Sequence, residues 1–147
     1  MGITYSFKDV TASINAPTAS VSIGYGAGVG DEGITIDANA DRNTMTIGAD
    51  GTGMHSLHAD QSGTVTVRLL QTSPSNLVLQ QLFNDQSLAG SAWGQNTIVI
   101  TNVQSGDSVT ATRCAFKKNP SLTYRKDGVM IDWVFESVQI VKSLGVY

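Results

Sequence analysis

Two histidines, His55 and His58, stand three residues apart, a spacing that can bring imidazoles to one helical face and hold a metal ion. No third ligand accompanies them and no glutamate sits beside them, so the pattern predicts exposed histidines on a connecting segment, without a metal. Gly28-Val29-Gly30-Asp31-Glu32-Gly33 spells the dinucleotide fingerprint. That motif works where it opens a helix whose N-terminus receives the pyrophosphate. Here the motif runs straight into Ile34-Thr35-Ile36, a strand pattern, so no cofactor is expected. Asp37-Ala38-Asn39-Ala40-Asp41 begins like a calcium loop, but Arg42 stands where glycine is needed and Gly48 where the bidentate glutamate belongs. Asp132 and Glu136 could form the carboxylate pair of a glycosidase, against the plainer reading of solvated or interface charges. The lone Cys114 falls at a core-facing place in a strand pattern, which suits an inert thiol. The Gly-x-Ser-x-Gly elbow of serine hydrolases is absent. No nucleophile, base and orienting group are placed together, so no catalytic residue is assigned and no enzyme is expected.

The elements that would carry such groups are mostly strands. The informative stretch is Ser62–Ser87. In Thr64–Leu70, Val65 and Val67 alternate with Thr64, Thr66 and Arg68, which puts valines on one sheet face and polar groups on the other. At Thr72-Ser73-Pro74 the period changes. Ser73 can cap a helix that starts at Pro74, where a missing N–H is harmless. Val78, Leu79, Leu82 and Phe83 then recur at helical spacing, with Gln80, Gln81 and Asn84 opposite. A helix over about residues 74–84 is predicted to pack through those four apolar residues on the surrounding sheet.

Alternation predicts further strands at Ile3–Val10, Ser20–Tyr25, Gly33–Asp37, Asn43–Gly48, Thr97–Asn102 and Ser108–Phe116. Asp127-Gly128 signals a final hairpin between Leu122–Lys126 and Val129–Phe135. Gly24, Gly26, Gly28, Gly30 and Gly33 mark a loop whose conformational entropy would need outside contacts to be ordered, making it a candidate assembly element. The sum is a single mainly β domain over residues 1–147: an antiparallel β-barrel or two-sheet sandwich with one flanking α-helix.

Composition narrows the function classes. Charged residues make up 14% of the chain, against about 25% in an ordinary soluble domain. Serine and threonine, 15 of each, fill their place. A surface so poor in charge suits burial against other copies of itself. The net charge of −3 offers no basic footprint for tight nucleic-acid binding. No apolar run is long enough to span a bilayer and no signal-peptide core opens the chain, so no membrane is expected. One cysteine excludes an internal disulfide and suits a reducing cytoplasm.

Particular words go further. Tyr5–Val10 with Gly33–Ile36, Asn43–Gly51, and above all Ser62–Asn76 (Ser-Gly-Thr-Val-Thr-Val-Arg-Leu-Leu-Gln-Thr-Ser-Pro-Ser-Asn) resemble the tail tube proteins of contractile-tailed bacteriophages. The resemblance runs from residue 5 nearly to the C-terminus. It implies a β-sandwich or barrel with a flanking helix, assembled into hexameric rings that stack head to tail into a hollow tube. It also implies a place in the virion tail, with assembly in the host cytoplasm. The implied partners are further copies of the chain, the tail sheath, the tape measure protein, and baseplate and tail-terminator proteins. DNA would pass through the lumen without specific binding during genome ejection, and an acidic, hydroxyl-rich wall suits that task. Thr64, Thr66, Thr110 and Thr112 are candidates for the lumen face. The tube protein of type VI secretion is the nearest rival. A carbohydrate-binding adhesin domain, stacking sugars on Trp93, Tyr124 and Trp133, is the alternative from another class.

Overall fold

The computed structural model describes residues 4–17, 19–24 and 29–146, with the backbone alone at 29–32. Its strands are β1 (Val10–Asn15), β2 (Ser20–Ser22), β3 (Val29–Ala38), β4 (Asn43–Ile47), β5 (Gly53–Leu57), β6 (Gly63–Leu70), β7 (Asn96–Asn102), β8 (Asp107–Phe116) and β9 (Met130–Ser143), with one helix, α1 (Ser75–Ser87), between β6 and β7. Seven strands form one sheet in the order β2-β1-β7-β8-β9-β6-β3, and β4 pairs with β5 as a separate hairpin. Every pairing is antiparallel. The mainly β, antiparallel, one-helix reading holds, with the qualification that the sheet is open and not closed into a barrel. Closure would require β2 to pair with β3, and these two strands instead form the opposite margins of the sheet among the described residues.

Period-two alternation builds the core. Val65, Val67 and Leu69 of β6 are buried while Thr64, Thr66 and Arg68 are half-buried on the other face. β7 repeats this with Ile98 and Ile100, and β9 with Ile131, Trp133 and Phe135. Phe116 is the hub of the aromatic part, with ring centroids 5.4 Å from Phe83, 5.8 Å from Trp133 and 4.8 Å from Phe135. Each fully buried aliphatic side chain contributes roughly 1.5–3 kcal/mol relative to exposure.

The helix lies on this core. Leu79 and Leu82 are buried, and Val78 and Phe83 are partly buried against the same cluster. Ser73 Oγ accepts the Ser75 N–H at 3.3 Å, one of the donors left over at a helix start. Asn76 Oδ1 accepts the Trp133 indole N–H at 2.9 Å, tying the first turn to β9. The helix runs to Ser87, past the expected residue 84. The reason is tertiary: Gln86 exchanges two hydrogen bonds, of 2.7 and 3.1 Å, with Asn96 at the start of β7, and both side chains are buried.

Several sequence expectations are corrected. Ile3–Val10 is not one strand: Phe7–Asp9 form a 3-10 turn, with the Lys8 N–H donating to Ser6 Oγ, and the strand begins at Val10 (Ile3 lies outside the described residues). Leu122–Lys126 is not a strand, and Asp127-Gly128 closes no hairpin. Gln71 takes the place of a partner there, bonding the backbone of Thr123 and Val129, so the chain from 117 to 129 crosses without a ladder. Val129–Phe135 becomes the start of a longer strand, since β9 reaches Ser143 by pairing with β8 beyond the end of β6. Met54–Asp60 is not merely a connecting segment, because Gly53–Leu57 is β5. Val29–Gly33 is not loop but the first half of β3, joined to β6 through Val29↔Leu69 and an irregular register before Ile34.

Candidate functional site

The outward face of the seven-stranded sheet is set by the same alternation that builds the core. Registers across β1, β7, β8 and β9 align Thr11, Thr101, Ser108 and Ser143 in one row and Ser13, Val99, Thr110 and Val141 in the next. On the other side, Thr35, Thr66 and Val134 align across β3, β6 and β9, as do Asp37, Thr64 and Glu136. Thr64, Thr66, Thr110 and Thr112 are therefore brought to one face, all half-buried. Arg68 on this face bonds Asp132 of β9 at 3.1 Å, so its charge is compensated.

Keeping that face continuous requires a bulge. The β7–β8 register passes from Asn96↔Cys114 to Ile98↔Ala111, so Thr112 and Arg113 together face Thr97. Arg113 takes φ 53°, uncommon for a side chain other than glycine. Below the bulge Cys114 and Phe116 point into the core, and above it Ala111 and Val109 do. Ser137 Oγ, opposite the bulge, stands 2.8 Å from the carbonyl oxygens of both Thr112 and Gln139, which share its one proton. Burial pushes the Cys114 thiol above its ordinary pKa, which keeps it an unreactive core residue.

The second exposed feature is the β4–β5 hairpin. Its turn is built locally: the Gly48 N–H donates to Thr52 O at 2.7 Å, Asp50 Oδ1 accepts from Thr52 N at 3.0 Å, and Gly51 takes φ 88°. Asp50-Gly51 is a hairpin dipeptide, the sequence signal from which β5 could have been found. One hairpin face carries Met45, Ile47, His55 and Leu57. Leu57 is 79% exposed, and Met45, Ile47 and Met54 are exposed too. An isolated two-stranded ribbon is marginal in water, and apolar residues gathered on one mark a contact surface. His55 and His58 make cross-strand contacts with Asn43 and Thr44, at 3.2 and 2.6 Å.

The remaining sequence candidates fall in different places. Gly24 is buried, and a Cβ there would stand 2.7 Å from Ala12 N and 2.9 Å from Val10 O, so close approach to β1 alone calls for glycine. Gly30 and Gly33 lie in β3, with Gly33 at φ 63° in its irregular stretch. Gly26 and Gly28 lie outside the described residues. The fingerprint glycines thus lead into a strand, not a helix. Asp132 and Glu136 are four residues apart on one strand, about 13 Å by strand rise, too far for either glycosidase geometry. Of the three aromatic platforms, Trp133 is 1% exposed and Trp93 packs on Phe83 and Phe116, leaving Tyr124 alone on the surface. That arrangement has no sugar-stacking groove.

The architecture is thus a mainly β scaffold: one broad hydroxyl-rich sheet face, one helix packed behind it, and a free hairpin. Residues 2–145 match the family described as Bacteriophage PhiTE tail tube protein. The chain belongs to this family of structural tail tube proteins. No curated protein matches it. Among solved structures, it resembles a chain in the tail of an empty GTA particle computed with C6 symmetry, at TM-score 0.62 and 12% identity over 97% of this chain and 100% of that one. It resembles a chain of the PVC sheath-tube complex of an extracellular contractile injection system in the extended state, at TM-score 0.61 and 10% identity over 97% and 93%. A chain in the baseplate of the anti-feeding prophage matches at TM-score 0.62 and 10% identity over 97% of both chains. At these identities the likeness is one of fold.

Proposed function

We propose that copies of this chain close into sixfold rings and that the rings stack head to tail into the inner tube of a phage tail. The carrying observation is the open sheet of a tail tube family member, with edges at β2 and β3 and a hydroxyl-rich outward face. An open sheet leaves backbone donors and acceptors along both margins, and joining one subunit's margin to the next subunit's closes a ring while removing the exposed edges. The symmetry of the GTA tail supports the number six.

In this reading the face carrying Thr64, Thr66, Thr110 and Thr112 lines the bore, and DNA slides along it during genome ejection. Each phosphate neutralised by a cation adds affinity through counterion release. A wall of hydroxyls and carboxylates, with Arg68 already held by Asp132, gives the backbone no place to stop. The tape measure protein occupies the bore before the DNA does. The helix turns its polar side outward to the sheath, and the hairpin and edge strand β3 meet neighbouring subunits. Baseplate and terminator proteins close the ends, as the sheath-tube, baseplate and terminator assemblies containing similar folds suggest. Assembly takes place in the host cytoplasm and the product is part of the virion.

Mass measurement in solution with negative-stain microscopy tests this reading. Rings of six subunits, and tubes at high concentration, are expected; a strictly monomeric chain over a wide concentration range overturns it.

A further inference from the structure

The two ends of the sheet carry opposite charge. β6 runs from Gly63, paired with Ser137, to Leu70, paired with Met130. The hairpin springs from the Gly63 end, and its foot holds Asp37, Asp41 and Asp60, with Asp50 at the tip, against Arg42 and Lys142. A cavity of about 350 Å³ separates several of these groups, with Asp37, Arg42, Asp60 and Lys142 on its walls. Asp50 and Asp60 are held below their ordinary pKa, chiefly by hydrogen bonds from Thr52 and Ser62, and so remain charged at neutral pH. At the other end lies the exposed stretch 117–128, with Lys117, Lys118, Arg125 and Lys126 against Asp127. That one stretch holds four of the chain's nine cations. It is a fixed feature: the Lys117 N–H donates to Val134 O at 2.9 Å, and Gln71 bonds Thr123 and Val129 beside Leu70. Arg125 lines one surface cavity together with Leu70 and Met130. Seven residues of strand, about 24 Å, separate the level of the hairpin foot from that end. Arg113 and Glu136, one charge of each sign, line one cavity between the ends, and Asp31 and Glu32 belong to edge strand β3.

We infer that successive rings are joined by this polarity: the acidic hairpin end of each subunit docks against the basic 117–128 stretch of a subunit in the next ring. The inference rests on the ring reading above. Edge-to-edge pairing through β2 and β3 acts across the strands and closes the ring, which leaves the strand ends facing along the tube axis. A contact between unlike ends is heterologous and does not close, so it propagates as a filament with one polarity. Like ends repel, which excludes the inverted ring. Each charge pair is weak because it is solvated, but the contacts of a ring act together. A twofold weakening per subunit compounds to roughly sixtyfold over the six copies of a C6 ring if the sites are independent.

The test uses the full chain with charge swaps on exposed residues. R125E/K126E and, separately, D41K/D50K are expected to form rings at wild-type concentration in 0.1 M salt but to need at least about tenfold more protein to form tubes. Combining all four substitutions restores opposite ends in the reverse sense, so that chain is expected to form tubes with itself and not to join wild-type tubes. Wild-type tubes should shorten towards rings as salt is raised to 1 M, where the screening length falls from about 10 Å to about 3 Å. Ring formation reports folding of every variant. Swapped chains that elongate at the wild-type concentration, a combined variant as defective as either half, or salt-independent elongation each overturn the inference and leave the rings standing. A wild-type chain that forms no rings removes the ring reading and this inference with it.

Discussion

Replacing Gln86 with leucine tests whether the helix is held on the sheet by a matched pair of amides. Gln86 is 4% exposed and Asn96 is fully buried. Their side chains exchange hydrogen bonds of 2.7 Å (Gln86 Nε2 to Asn96 Oδ1) and 3.1 Å (Asn96 Nδ2 to Gln86 Oε1). Leucine has nearly the volume of glutamine, so little cavity term arises. What changes is that Asn96 loses its partner at both the carbonyl and the amide. A buried polar group left without a partner costs about 1–3 kcal/mol, and two on one side chain place Gln86→Leu at about 2–4 kcal/mol of subunit stability. Asn96→Leu should cost a similar amount by orphaning Gln86. The double variant, Q86L/N96L, has no buried amide left to satisfy and should lie within about 1 kcal/mol of wild type, a coupling of at least about 2 kcal/mol. Urea unfolding of the unassembled subunit, with equal slopes checked across the four proteins, measures all the terms. A double variant destabilised by the sum of the singles would overturn this account, because the cost would then come from packing and not from unmet hydrogen bonds.

The same geometry makes further changes predictable. Leu82→Ala should cost about 2–5 kcal/mol, since Leu82 is 3% exposed in the core; a change within error in urea unfolding would mean the helix does not pack there. Gly24→Ala should destabilise by about 1–3 kcal/mol, read in the same assay, because its Cβ would meet β1 backbone at 2.7 Å. Asp60 is held below its ordinary 3.8, first by the Ser62 hydroxyl and then by the Ser62 N–H. A depressed carboxylate favours the turn above its unfolded pKa and loses that contribution as pH falls through the folded value. The Ser62 amide shift in an NMR titration should therefore have its midpoint below pH 3.8, and a midpoint above that value would contradict the bonding. Thr110→Lys with Thr112→Lys should leave rings and tubes intact but slow genome ejection from reconstituted particles, since each bore-facing cation adds a phosphate contact; unchanged ejection would move the bore to another face.

Local rules were enough wherever a residue's role depended on its immediate neighbours. Alternation in Thr64–Leu70 placed Val65 and Val67 inward because successive side chains of any strand point oppositely. Ser73-Pro74 marked the helix start because capping and a missing N–H act within one turn. The charge-poor composition pointed only to assembly; the resemblance of the Ser62–Asn76 word pointed to a tail tube protein, and the family match agrees with that resemblance. Features that depend on partners distant in the chain needed three dimensions. Asp127-Gly128 had the chemistry of a hairpin but no strand to close onto, because Gln71, more than fifty residues earlier, had taken the backbone of Val129. The helix outran its expected end because Asn96 waited beyond it with a matching amide. The bulge at Arg113, which turns both the core and the threonine face, reflects a register mismatch between two strands and is written in neither alone. Whether the sheet closed was equally beyond the sequence: alternation says which side of a strand is buried, while closure depends on which strands end at the margins and how long they are.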